Sequence, residues 1–247
     1  MPAENHTPSD DISARRRELG HHDGRDLARN ALKHISLPEF TEHNVNRFLY
    51  QSRLVSLVAD VPGDVVECGV GKGRSLLLWA HALYRERRDR DLWAFDSFEG
   101  FPEPTPEDDS PRRSRKGEWA VCTLPEIQDR LLASGLPAEW LRARVTIVRG
   151  YFDESLHKHT GESIALLYID ADLYSSYISV FEQLADKVAS GGVIAFDEYM
   201  GTWEHYPFPG AKQAIDEYLA RTGWELRRDR EFGKYYVVKP RHGQVPA

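Results

Sequence analysis

Cysteine is nearly absent from this chain. Only Cys68 and Cys122 occur in 247 residues, which argues against a disulfide framework and supplies no set of thiols for a structural zinc site. No run of apolar residues approaches the ~20 that a membrane span requires. Met1 to Gly20 lacks the hydrophobic centre of a signal peptide, so the expected location is the cytoplasm. Positive charge is in deficit: 32 Lys and Arg against 39 Asp and Glu leave a net charge of −7. That balance disfavours nucleic acid as a partner, because phosphate backbones call for clustered cations. The basic runs Arg15-Arg16-Arg17, Arg85 to Arg90 and Arg112 to Lys116 are interrupted or flanked by acids, and read as solvated surface. No solenoid-type repeat is present.

What remains is ordinary globular composition, 41% hydrophobic and 29% charged, in a chain long enough to bury a full core. Residues 1–37 are polar and charged, and read as a flexible or loosely docked arm. Residues 38–240 form the expected single domain, and 241–247 a short tail.

The most informative stretch is Leu166-Leu167-Tyr168-Ile169-Asp170-Ala171-Asp172-Leu173-Tyr174. A short apolar run, fit for a strand buried on both faces, ends in two carboxylates. If the extended geometry continues, Asp170 and Asp172 point to one side. The pattern recurs downstream, where Gly191-Gly192 is expected to turn the chain, Val193 to Phe196 form a second apolar strand, and Asp197-Glu198 end it. Two such strands side by side place four carboxylates around one crevice, where their mutual repulsion rises with burial. A hard divalent cation relieves it, and Mg²⁺ is the commonest candidate. The competing reading is that each acid caps the helix that follows.

Upstream, a helical pattern (Val45, Phe48, Leu49, Ser52, Val55, Leu57-Val58) leads into the strand Asp64 to Cys68. Gly69-Val70-Gly71-Lys72-Gly73-Arg74-Ser75 follows, and then a helix through Leu83. Glycines let a ligand approach the backbone, and the helix start offers unpaired N–H groups. The spacing is G-x-G-x-G rather than the dinucleotide G-x-G-x-x-G. Glu67, just before the loop, is awkward for a pyrophosphate and suits a ligand carrying an ammonium group. Strand Leu92 to Phe95 ends at Asp96-Ser97, near where an acid grips ribose hydroxyls in nucleotide-binding β-α-β units.

Phe98 to Trp119 is rich in Pro, Gly and charge, and is expected to be a surface connector or an active-site lid. Leu124 to Leu132 reads as a helix and Arg144 to Val148 as a strand, with Gly150 to Asp153 at the ligand edge. A helix from about Ser175 to Val188 joins the two acid-tipped strands. The loop Tyr199 to Pro209 carries Trp203, His205, Tyr206 and Phe208. A helix over Ala211 to Ala220 and a hairpin of Trp224 to Leu226 with Tyr235 to Val238 close the domain. Alternating strands and helices imply a doubly wound, mostly parallel α/β sheet with an antiparallel hairpin.

Four motifs in order, DVVECGVGKGRS (Asp64 to Ser75), AFDSFEGFPEP (Ala94 to Pro104), LLYIDADLY (Leu166 to Tyr174) and GGVIAFDEY (Gly191 to Tyr199), resemble the macrocin O-methyltransferase family. Members are S-adenosylmethionine (SAM)- and Mg²⁺-dependent enzymes that methylate sugar hydroxyls of antibiotics and similar natural products. The resemblance covers roughly residues 45 to 238. It implies the seven-stranded sheet of class I methyltransferases. It further implies metal ligands at Asp170, Asp197 and Glu198 and a general base at Asp172. The expected cofactor residues are Glu67, Gly69, Gly71, Gly73, Ser75, Asp96, Ser97, Gly150, Phe152 and Asp170. The family usually has Asp where this chain has Glu198, and V-W-R-G-G where it has V-G-K-G-R.

The acceptor so implied is a small molecule with a free hydroxyl, a glycoside by family pattern, and a homodimer is compatible with the reading. His205 is the rival base. A nicotinamide-dependent oxidoreductase and a SAM-binding protein without turnover are the competing classes.

Overall fold

The computed structural model describes residues 41–86, 89–199 and 208–241. The expected arm at 1–37, the loop residues Trp203, His205 and Tyr206, and positions 242–247 lie outside them. The chain divides into two compact units, Met1–Val45 and Asn46–Ala247. Of the first, only residues 41–45 are described, and they open helix α1 (Glu42–Leu57). No helix among the described residues is long and apolar enough to cross a membrane.

Seven strands form one sheet in the order β3-β2-β1-β4-β5-β7-β6. They are β1 (Asp64–Cys68), β2 (Leu92–Asp96), β3 (Val145–Arg149), β4 (Ile164–Ile169), β5 (Val188–Phe196), β6 (Leu226–Arg228) and β7 (Tyr235–Val238). The first five pair in parallel. β7 runs antiparallel between β5 and β6, which is the expected closing hairpin. Helices α2 (Arg74–Glu86), α3 (Leu124–Leu132), α4 (Ala138–Arg144), α5 (Phe152–Ser155), α6 (Tyr174–Leu184) and α7 (Pro209–Thr222) make the connections.

Side-chain alternation explains the two layers. All six residues of β4 are buried, as the centre of a parallel sheet requires. Leu166 and Tyr168 face a cluster with Tyr50, Leu54, Leu76 and Trp79 of α1 and α2. Leu167 and Ile169 face the opposite cluster, with Tyr177, Phe181, Ala214 and Ile215 of α6 and α7. The period of two along the strand therefore separates the helix layers.

Several local expectations are corrected. Gly191 and Gly192 lie inside β5 rather than in a turn before it, because Gly191 N–H donates to Lys239 O (2.9 Å) and Lys239 N–H to Gly192 O (2.8 Å). Val188 begins β5 instead of ending the preceding helix; α6 stops at Leu184 and a 3₁₀ turn, Ala185–Lys187, intervenes. The short helices α4 and α5 carry too few residues to show a periodicity. The segment 98–119 contains a 3₁₀ turn, Pro106–Asp108, and is tied to itself. Phe101 N–H donates to Glu118 O (2.8 Å), and Gly117 N–H to Phe101 O (2.9 Å). Arg112 forks onto the Glu118 carboxylate at 2.7 and 3.1 Å, with its guanidinium over Phe208 and Phe101.

Candidate active site

Strands β1, β2, β4 and β5 finish level with one another, and the residue after each strand or its neighbour extends the ladder. Gly69 N–H donates to Phe95 O (2.9 Å), Asp170 N–H to Cys68 O (2.9 Å), Asp197 N–H to Ile169 O (2.9 Å) and Gly150 N–H to Asp96 O (3.0 Å). The polar residues that follow the apolar runs are thus gathered along one sheet edge, where ligands bind in open α/β folds.

The glycine loop is fixed from below and from the side. Gly69 has φ +97°, and a Cβ there would lie 1.8 Å from Asp170 O; only glycine lets β1 and β4 end this close. Gly71, at φ +51°, faces open space. Asp96 stitches the loop with its carboxylate: Oδ2 accepts from Val70 N–H (2.8 Å) and Gly71 N–H (3.0 Å), Oδ1 from Phe98 N–H (2.7 Å). Ser97 Oγ donates to Gly100 O (2.8 Å) and closes the next turn. Gly73 packs against Ile127 of α3. Gly150 O accepts from Ser155 Oγ (3.1 Å) and Phe152 opens α5, at the far side of the same edge.

Glu67 is fully buried beneath the loop. Its Oε1 accepts from Trp79 Nε1 at 3.3 Å, and Oε2 takes no hydrogen bond among the described residues. Burial pushes this carboxyl up to about 8, with the nearby Ser75 hydroxyl opposing it. A buried acid with an unanswered oxygen suits a cationic partner.

The acids sort into two groups. Asp170, Asp172 and Glu198 each place a carboxylate oxygen within 4.8 Å of the others. Asp197 is turned toward cations and a phenol: its Oδ1 accepts from Tyr168 OH (2.6 Å) and Lys234 Nζ (3.0 Å), with Arg47 Nη2 at 3.7 Å. Arg47 also bonds Asp170 directly, and the Tyr177 hydroxyl bonds Glu198. Burial, then like charge, lifts Asp170, Asp172 and Glu198 above the ordinary carboxyl range. Burial acts on Asp197 in the same sense, but Arg47 and Lys234 outweigh it and hold that group low.

Asp172 departs from the extended geometry expected of it. Its φ is +62°, and Leu173 N–H closes onto Ala171 O at 2.6 Å, a tight three-residue turn centred on Asp172. Asp tolerates this region better than most residues, yet it is uncommon and marks functional positions. The turn swings the carboxylate back toward Asp170. The helix-cap alternative for Asp172 finds no bond here: Leu173 is the N-cap of α6 without a side-chain bond, and Tyr174 N–H donates to Asp108 Oδ1 at 2.8 Å.

Glu67 and the half-buried acids of the cluster set a pH dependence. A carboxyl raised in the folded state holds its proton where the unfolded chain has lost it, so stability is full below the unfolded value and falls as pH rises. For Glu67 the window runs from 4.5 to about 8, and the raised cluster acids act in the same direction. Asp197, held low, gives the opposite slope only below its ordinary 3.8. Thermal melts of ligand-free protein should therefore lose stability between pH 5 and 8, at about 2–4 °C for each kcal/mol. Glu67→Gln should flatten the slope; an unchanged slope would mean that Glu67 is ionised in the fold.

Sequence reasoning missed Arg47, Tyr168, Tyr177 and Lys234 as members of the site. Arg47 gave a faint signal as a cation among the buried positions of α1, and Lys234 none, since its reach depends on how β7 pairs.

The family model described as Macrocin-O-methyltransferase (TylF) matches residues 44–225. Demethyldecarbamoylnovobiocin O-methyltransferase of Streptomyces niveus is 30% identical over 163 residues, covering 66% of this chain and 60% of the relative. Mycinamicin III 3''-O-methyltransferase of Micromonospora griseorubida is 29% identical over 171 residues, 66% and 63% respectively. The match thus spans less than two thirds of these curated relatives. Among solved structures, the O-methyltransferase NovP superposes with a TM-score of 0.66 at 29% identity, covering 80% of this chain and 81% of that one. The calicheamicin methyltransferase CalS11 gives 0.72 at 25% identity, covering 98% and 95%.

Proposed function

This chain belongs to the macrocin O-methyltransferase family, and from that premise we propose that it transfers a methyl group from SAM to a hydroxyl of a small-molecule acceptor, a sugar or glycosylated natural product, in the cytoplasm. The observation that carries the reading is the edge itself: a glycine loop after β1 stitched by Asp96, with three carboxylates converging at the ends of the next two strands, β4 and β5. The nicotinamide alternative has neither the third glycine spacing nor a use for Glu67 under the loop.

SAM supplies an electrophilic methyl group, and the transfer is an in-line displacement in which the protein's main task is positioning. Gly69 and Gly71 would admit the cofactor to the backbone, Glu67 would meet its ammonium, and Asp96 its ribose. Asp96 already accepts three N–H bonds, so it also holds the loop in shape. Asp96→Ala should weaken SAM binding by at least the ~1–3 kcal/mol of an unpaired buried polar contact. Calorimetry showing unchanged affinity would remove Asp96 from the site.

The donor set fits a hard divalent cation: all-oxygen, acidic, convergent, and lifted in pKa by burial and then by like charge. Asp170 and Glu198 would hold Mg²⁺, with Asp197 beside them as the family pattern implies; an ion bound there would lower the pKa of a neighbouring hydroxyl. Asp172, next to both ligands, accepts the proton that the acceptor hydroxyl gives up. Tyr177 orients Glu198, and Tyr168 with Lys234 orients Asp197. The segment 98–119 meets the start of α6 through Asp108, and closing over the bound substrates would be its part in excluding water.

A further inference from the structure

Asp108 is a buried acid for which the reaction has no direct use. It is 3% exposed, although it sits in the charged connector between β2 and α3. Its Oδ2 accepts from Thr105 N–H (2.9 Å) and Thr105 Oγ1 (3.2 Å), and its Oδ1 from Tyr174 N–H (2.8 Å). It also abuts the first turn of α7, where a Cβ on Gly210 would lie 2.0 Å from Oδ1 and 2.9 Å from Tyr174 Cβ. One carboxylate therefore joins the connector, the start of α6 and the start of α7. Tyr174 is two residues beyond Asp172, and between them lies only Leu173, whose N–H closes the strained turn. A turn at positive φ persists only where its surroundings fix it.

We propose that Asp108 is a positioning residue: by anchoring Tyr174 N–H it fixes the start of α6, and through it the direction of the Asp172 carboxylate. The connector is thus part of the device that aims the base. The inference rests on the reading of Asp172 as proton acceptor.

Asp108→Ala should lower kcat on the order of 10²-fold, as a small misplacement of a reacting group does. The acceptor KM and the SAM Kd should stay within about threefold. Asp108→Asn, which keeps an acceptor at a good capping residue, should recover at least about tenfold of that loss. Thr123→Ala supplies the control, since it removes the capping box of α3, and should cost a similar Tm with kcat unchanged. The double variant Asp108→Ala/Asp172→Asn should be no slower than Asp172→Asn, because the two act as one unit.

Should Asp108→Ala not fold, Asp108→Ser, whose shorter side chain cannot reach Tyr174 N–H, should show the same loss confined to kcat. Wild-type kcat in Asp108→Ala, a loss as large in Thr123→Ala, or multiplied effects in the double variant would overturn the inference. Failure of the underlying reading looks different: no methyl transfer by the wild type, or full kcat in Asp172→Asn.

Discussion

Asp172→Asn is expected to lower kcat by roughly 10²–10⁴-fold, the usual contribution of a positioned proton acceptor, while SAM and metal affinities stay within a few-fold of wild type. The substitution is mild in every other respect. Asn adopts positive φ as readily as Asp, and the α6 N–H at Tyr174 is accepted by Asp108, not by Asp172. The acid also lies among like charges, so a neutral amide relieves repulsion and should leave the fold at least as stable. What remains to be lost is the capacity to take a proton. Single-turnover kinetics at saturating SAM and metal, with a Mn²⁺ titration alongside, separate the alternatives. Near-normal turnover in a stable, metal-loaded variant would remove the base assignment and direct attention to His205. A weakened Mn²⁺ affinity with turnover restored at high metal would make Asp172 a ligand.

Chelation should have the larger effect. EDTA-treated protein is expected to show no turnover above background, and Mg²⁺ to restore it. The physical reason lies in the charges. Asp170, Asp172 and Glu198 converge within 4.8 Å, while Arg47 and Lys234 are directed chiefly at Asp170 and Asp197. The three carboxylates thus share one guanidinium, and a divalent ion would supply the further positive charge. Asp170→Asn and Glu198→Gln should each raise the metal concentration needed by about tenfold or more, as a neutral amide replaces a charged ligand. Asp197→Asn decides the ligand set. A raised Mn²⁺ dissociation constant places Asp197 among the ligands, whereas an unchanged one leaves it as the counter-charge of Lys234. Full activity in EDTA would dismiss the metal altogether.

The sheet was legible in the sequence because its central strands are unbroken apolar runs. Val65-Val66, Leu166 to Ile169 and Val193 to Phe196 can be buried on both faces, and each ends in acid or glycine at the same edge. The gathering of Asp170, Asp172 and Glu198 follows from that ending. The way Asp172 arrives there does not: it depends on one residue at φ +62°, which no periodicity announces. Gly191-Gly192 shows a related limit. A glycine pair usually signals a turn, but pairing with Lys239, nearly fifty residues on, kept it within β5. Asp108 was hidden for the same reason, since its partners Tyr174 and Gly210 come from two helices far along the chain.

The measurement closest to the central claim is a mass-shift screen. The protein is incubated with SAM, Mg²⁺ and a panel of glycosides and catechols, and each acceptor is examined for the gain of one methyl group with equimolar S-adenosylhomocysteine. The account predicts one-methyl products that vanish with EDTA and fall by at least about 10²-fold in Asp172→Asn. SAM that binds without any methylated product across a broad panel would contradict it.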